Sequence, residues 1–143
     1  MASGGARNRS GPAPDPNSGR SDARGLRLTA LPASYEGPVP VFPLPDVSVR
    51  ESDVWAETWR LPQANAWASA SESWRVRTVA MWVRLSVRCE DPEASASLLG
   101  QLHRFADQIG LTTAGLAEMG WQVAADEVSP RAAADRPVQR QER

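Results

Sequence analysis

The chain has no lysine; all 16 of its basic residues are arginine. A phosphate-cradling P-loop needs its lysine, so that class of nucleotide hydrolase is excluded. There is one cysteine, Cys89, and one histidine, His103. A lone cysteine rules out an internal disulfide, and the pair supplies too few ligands for a multi-cysteine zinc site. Cys89 and His103 are also the only residues from which a Cys–His dyad could be assembled, and they read as a structural cysteine and a surface histidine. Aspartate and glutamate are scattered rather than paired in apolar surroundings, so no acid–base constellation is visible. The longest apolar run, VAMWV at 79–83, is far too short to span a bilayer, and no apolar leader stands at the N-terminus. These absences lead to the expectation of a non-enzymatic cytoplasmic protein with no metal, no cofactor and no membrane partner.

What is present is unevenly distributed. Residues 1–44 hold Pro12, Pro14, Pro16, Pro32, Pro38, Pro40 and Pro43 with glycines between them. The final stretch, SPRAAADRPVQRQER, is polar and broken by proline. Segments of this kind bury too little apolar surface to offset the entropy of ordering them. About 80 residues, roughly 46–127, remain for a core, which is marginal for a single domain and is commonly remedied by oligomerisation. The expected organisation is a disordered basic arm over 1–30, an extended Pro-rich strap over 31–47, a helical domain over 48–123 and a polar tail over 124–143.

Within the strap, Tyr35, Val41, Phe42 and Leu44 are expected to anchor the chain. Ser48 and Glu51 form a capping-box pattern that opens a helix over 48–60. In DVWAETWRLPQANAW (53–67), Trp55 and Trp59 stand on one helical face. Pro62 then breaks the helix and suits the first turn of a second, over 62–69, that carries Trp67. The segment 71–90 alternates like a strand in WVRLSVRC, but its length without Gly or Pro favours a helix. On that helix Trp74, Thr78, Trp82, Leu85 and Cys89 make one stripe and Arg77, Arg84 and Arg88 another. Asp91 and Pro92 are expected to open the next helix, with Ala94, Leu98, Leu102, Phe105 and Ile109 as its apolar stripe and Gly110 as a left-handed cap. Leu111 and Thr112 open a last short helix through Met119. The fold class expected is all-α, a small domain built on a long antiparallel helix pair.

Charge falls into blocks. Residues 1–30 carry five arginines against Asp15 and Asp22, 71–90 have a surplus of arginine, and 91–127 carry six acids against Arg104. Opposite surfaces that meet different neighbours produce such a pattern. Candidate DNA-contacting residues are Arg77, Arg84 and Arg88 of the third helix and Arg7, Arg9, Arg20 and Arg24 of the arm. Candidate core or oligomer-interface residues are Trp55, Trp59, Trp67, Trp74, Trp82, Leu98, Leu102 and Phe105.

Three stretches together carry a family resemblance: GPVPVFPLP ahead of a Trp-bearing helix, WAETWRLPQANAW, and SASLLGQLHRFADQIGLTTAGLAEMGWQV with its Leu111–Thr112 turn. Over roughly residues 36–123 the chain resembles the small subunit of phage terminases, in the form found in actinobacterial phages and prophages. It departs from that pattern after the turn, where Thr113 replaces a common proline and TAGLAEMG lacks arginine. The resemblance implies a homo-oligomeric ring that binds double-stranded viral DNA and presents it to the large ATPase–nuclease subunit for packaging. Two other readings of the residues stay open: a helix-turn-helix transcription regulator with 71–90 as recognition helix, and a structural adaptor that binds no nucleic acid.

Overall fold

A computed structural model describes residues 28–124. The 1–27 part of the expected arm and the tail beyond Ala124 lie outside the described residues. The first helix, α1 (Val49–Thr58), begins as its capping box dictates. Ser48 Oγ accepts from the Glu51 amide at 3.1 Å, and the Glu51 carboxylate accepts from the Ser48 amide at 2.7 Å. Its inner face buries Glu51, Val54, Trp55 and Thr58, the spacing of one helical stripe.

The second helix is shorter than the expected 62–69. Around Pro62 the bonds run three residues back, from Ala64 to Leu61 and from Asn65 to Pro62, so the chain turns tightly before α2 (Ala64–Trp67). The expected helix 71–90 is likewise trimmed: a 3₁₀ turn at Ser73–Arg75 leads into α3 (Val76–Cys89).

The next boundary differs from expectation. Asp91 does not cap a helix at Pro92; its carboxylate accepts from the Glu93 amide and its carbonyl from the Ala94 amide, closing a turn. Ser95 is the true N-cap, accepting from Leu98 N at 3.1 Å, and α4 runs Ala96–Gln108. An Asp-Pro pair suits a turn as well as a helix start, and the serine downstream decided between them. Gly110 ends this segment at φ 78°, as expected, with Trp121 packed where a side chain would project. Thr112 caps α5 (Thr113–Met119) through its hydroxyl, which accepts from Gly115 N.

Helices α3 and α4 form the expected antiparallel pair. Arg75, just ahead of α3, donates to the carbonyl of Gln108 at the end of α4. Arg50 near the start of α1 pairs with Glu90 just past the end of α3, so α1 also runs antiparallel to α3. The central helix α3 therefore packs on both neighbours.

One part of the expected architecture is corrected. The fold is largely helical, not all-α: β1 (Thr29–Leu31) and β2 (Trp121–Val123) form a parallel two-stranded sheet, with Thr29 opposite Trp121 and Leu31 opposite Val123. Three-residue strands carry no readable period, and their partners lie at opposite ends of the domain. The pairing also moves Thr29 and Ala30 out of the expected arm and into the fold.

The strap is held by aromatic contacts. Phe42 meets Trp55 at 5.2 Å and Tyr35 meets Trp59 at 5.7 Å, both edge-on, and Trp55–Trp59–Trp67 continue the chain at 5.5 and 5.7 Å. The Trp55 indole donates to the Pro40 carbonyl at 2.8 Å. Leu31 and Leu44 join the same buried cluster as Val79, Val83 and Ile109. Val41 is not an anchor: it is 89% exposed, because turning Phe42 inward on an extended strap turns its neighbour outward.

Candidate functional site

The arginine stripe of α3 is not one uniform surface. Arg84 lies two turns along the helix from Arg77, at the level of the start of α1. There its guanidinium pairs with the buried Glu51 carboxylate at 2.5 Å and donates to the Pro45 carbonyl at 2.6 Å. It also stands over the Phe42 ring at 5.6 Å. The hydrogen bond from Arg84 holds the Glu51 carboxyl below its ordinary range, against the opposing effect of burial, and the Ser48 amide and hydroxyl assist. The charge of Arg84 is thus committed to the fold, whereas Arg77 and Arg88 are exposed. Arg88 borders a recess of about 410 Å³ with Arg84, Pro45, Asp46 and Glu51, where two carboxylates balance the two arginines. Arg7, Arg9, Arg20 and Arg24 lie outside the described residues.

The tryptophans divide as well. Trp55, Trp59 and Trp67 are core residues, at 4%, 1% and 0% exposure. Trp82 is half-buried, and its indole N–H is enclosed with no partner. Trp74 is 64% exposed. Of the expected stripe through Trp74, Thr78, Trp82, Leu85 and Cys89 only Leu85 is buried; the other residues that α3 buries are Val79, Ala80 and Val83. A helix packed on two sides has no single apolar stripe, so the spacing of large residues misplaced the buried face.

On α4, Leu98, Leu102 and Phe105 are only half-buried, and Leu99 beside them is 49% exposed. None of the four belongs to the buried cluster. At the C-terminal end of this helix lies a second recess, of about 340 Å³, bordered by Trp74, Arg75, Arg104, Asp107, Gln108, Glu118 and Met119, so that two arginines and two carboxylates line it. Arg75 is its fixed point. Its guanidinium bonds the Glu72 carboxylate and the Gln108 carbonyl, each at 2.5 Å, and stacks under the Trp74 ring at 4.2 Å. Sequence reasoning missed Arg75 because its importance comes from a carbonyl 33 residues away; its adjacency to Trp74 was the one available signal.

His103 stands over Asp107, Nε2 to Oδ2 at 3.9 Å, while Thr112 donates to the other carboxylate oxygen at 2.5 Å. Among the described residues no group of three or more His, Cys, Asp or Glu is arranged to hold a metal ion. Among the same residues no helix is long and apolar enough to cross a membrane. Comparison with known proteins returns nothing further: no family model, no curated protein and no solved structure matches this chain.

Proposed function

We propose that this protein is a non-enzymatic assembly subunit of the terminase small-subunit type. In this reading it forms a homo-oligomeric ring in the host cytoplasm, binds double-stranded viral DNA and presents it to the large ATPase–nuclease subunit. The observation that carries the reading is the apolar face of α4. Leu98, Leu99, Leu102 and Phe105 lie on a regular, well-capped helix yet are left half-buried or exposed. Contiguous apolar surface of this kind marks an interaction site, and a core this small gains stability from a neighbour that covers it. The DNA role is assigned to the exposed Arg77 and Arg88 together with the arginines of the arm; Arg84 contributes through the fold.

A recognition-helix role for α3 is not favoured, because that helix is packed between α1 and α4 and buries Val79, Ala80, Val83 and Leu85. Native mass spectrometry tests the assembly directly: a mass many times that of the 15.5 kDa chain is expected at micromolar concentration. A single-chain mass would remove the proposal. Binding to duplex DNA that weakens steeply with salt is the second expected result.

A further inference from the structure

Charge divides this chain between its domain and its arm. Residues 28–124 carry seven arginines against eleven carboxylates, whereas residues 1–27 carry Arg7, Arg9, Arg20, Arg24 and Arg27 against Asp15 and Asp22. An acidic domain thus bears a basic arm on its own N-terminal side. We infer that the last residues of that arm, Arg24 to Arg27, seat in the Trp74 recess of the same chain.

The topology brings the arm to the recess. Because β1 and β2 run parallel, the residues ahead of β1 leave the sheet on the side where α5 ends. The Thr29 amide donates to the Gly120 carbonyl at 2.7 Å, and Met119, one residue back, borders the recess. Trp121, opposite Thr29 in the register, lies 5.7 Å from the Arg75 guanidinium, which lines the same recess. Arg27 and Arg24 stand two and five residues ahead of Thr29, so an extended chain carries them at most about 7 and 18 Å. The arm starts at the lip of the recess, and so short a loop costs little entropy to close.

The chemistry of the recess suits an arginine. Trp74 is 64% exposed, and Arg75 beneath it is tied to Glu72 and to the Gln108 carbonyl, so the ring is held in place. That bond to Glu72 balances the charge of Arg75. Arg104 then stands against both Asp107 and Glu118, which leaves a surplus of carboxylate. Both carboxylates have interactions within the chain, so what draws the arm is this surplus and not a bare charge. A guanidinium gains from an aromatic ring and from carboxylates beside it. Leu26, between the two arginines, matches the apolar surface of Trp74 and Met119. Seated there, Arg24 and Arg27 are taken up by the fold, and Arg7, Arg9 and Arg20 are the arginines of the arm left for DNA under the reading above.

Limited trypsin digestion of the full chain tests the contact, since a chain without lysine is cut only after arginine. In the parent, cleavage after Arg24 and Arg27 is expected to be slower than after Arg9 of the same arm. Trp74→Ala and Glu118→Gln, both at exposed positions, are each expected to speed the two slow cuts roughly tenfold, because cleavage follows the open population. The cut after Arg9 and the circular dichroism spectrum are expected to stay unchanged. Cuts after Arg24 and Arg27 as fast as after Arg9 in the parent would overturn the contact. So would rates that either variant leaves within twofold of the parent, or an equal acceleration after Arg9. Protection that rises with protein concentration would give the recess to a second copy's arm and overturn the contact within one chain. None of these rates depends on the native mass, so the assembly reading stands or falls separately.

Discussion

The indole N–H of Trp67 donates to the carbonyl of Ile109 at 3.0 Å, joining the four-residue helix α2 to the turn between α4 and α5. Gln63 reinforces the same junction by donating to the Gly110 carbonyl at 2.9 Å. A turn of helix this short has no stability of its own, so its place in the fold depends on these bonds and on the packing of Trp67 against Trp59. Trp67→Phe retains an aromatic ring but leaves the buried Ile109 carbonyl without this donor. It is expected to cost about 1–3 kcal/mol in urea unfolding, and Trp67→Ala about 3–5 kcal/mol. Equal stability of the phenylalanine variant and the parent would show that the bond contributes nothing.

Glu51 gives the fold an acid-sensitive point. Its folded pKa lies below the ordinary carboxylate value, so its contribution is complete above the unfolded value near 4.5 and is lost as pH falls through the folded pKa. Glutamine at this position can still close the capping box, so Glu51→Gln removes the charge while sparing the cap. The variant is expected to be less stable than the parent at pH 7, with the gap closing toward pH 3. A gap independent of pH would assign the loss to packing instead.

Two glycines on neighbouring helices should respond in opposite directions to alanine. At Gly115 an added Cβ would stand 2.5 Å from the Asp107 carbonyl oxygen, which is backbone and has little room to yield. At Gly100 nothing lies within 4 Å of the added carbon. Gly115→Ala is therefore expected to destabilise by about 1–3 kcal/mol, and Gly100→Ala to stabilise by about 0.5–1 kcal/mol. Thermal unfolding of both variants checks the pair, and a matching sign would contradict the packing described.

The three arginines of α3 should separate in the same way. Arg84→Ala strands the buried Glu51 carboxylate and is expected to cost about 2–3 kcal/mol. Arg77→Ala and Arg88→Ala stay within about 0.5 kcal/mol of the parent, as exposed substitutions do. In duplex-DNA titrations over a salt series, Arg77→Ala and Arg88→Ala are each expected to lower the salt slope by about one. An unchanged slope in both would remove α3 from the DNA surface.

The sequence by itself determined the local features, because each is written in neighbouring residues. The capping box of Ser48 and Glu51, the break at Pro62, the left-handed turn at Gly110 and the short helix ending at Met119 all follow from short-range chemistry. The spacing of apolar residues also indicated the antiparallel hairpin, but it left Trp55, Trp59 and Trp67 open between core and oligomer interface, and the tertiary structure buries all three. At the start of α4 the sequence reading set the cap at Asp91, and the structure sets it at Ser95.

Only the tertiary structure decided which residues are spent on the fold and which stay exposed. Arg77, Arg84 and Arg88 look alike along the helix, but only Arg84 meets a buried carboxylate. Trp74 and Trp67 look alike in composition, but one is 64% exposed on a guanidinium and the other is fully enclosed. The β1–β2 pairing was illegible for the same reason: strand pairing is a non-local bond, and three residues carry too little pattern to announce a partner at the far end of the domain. Spacing fixes which residues share a helical face; it takes the neighbouring elements to say whether that face is covered.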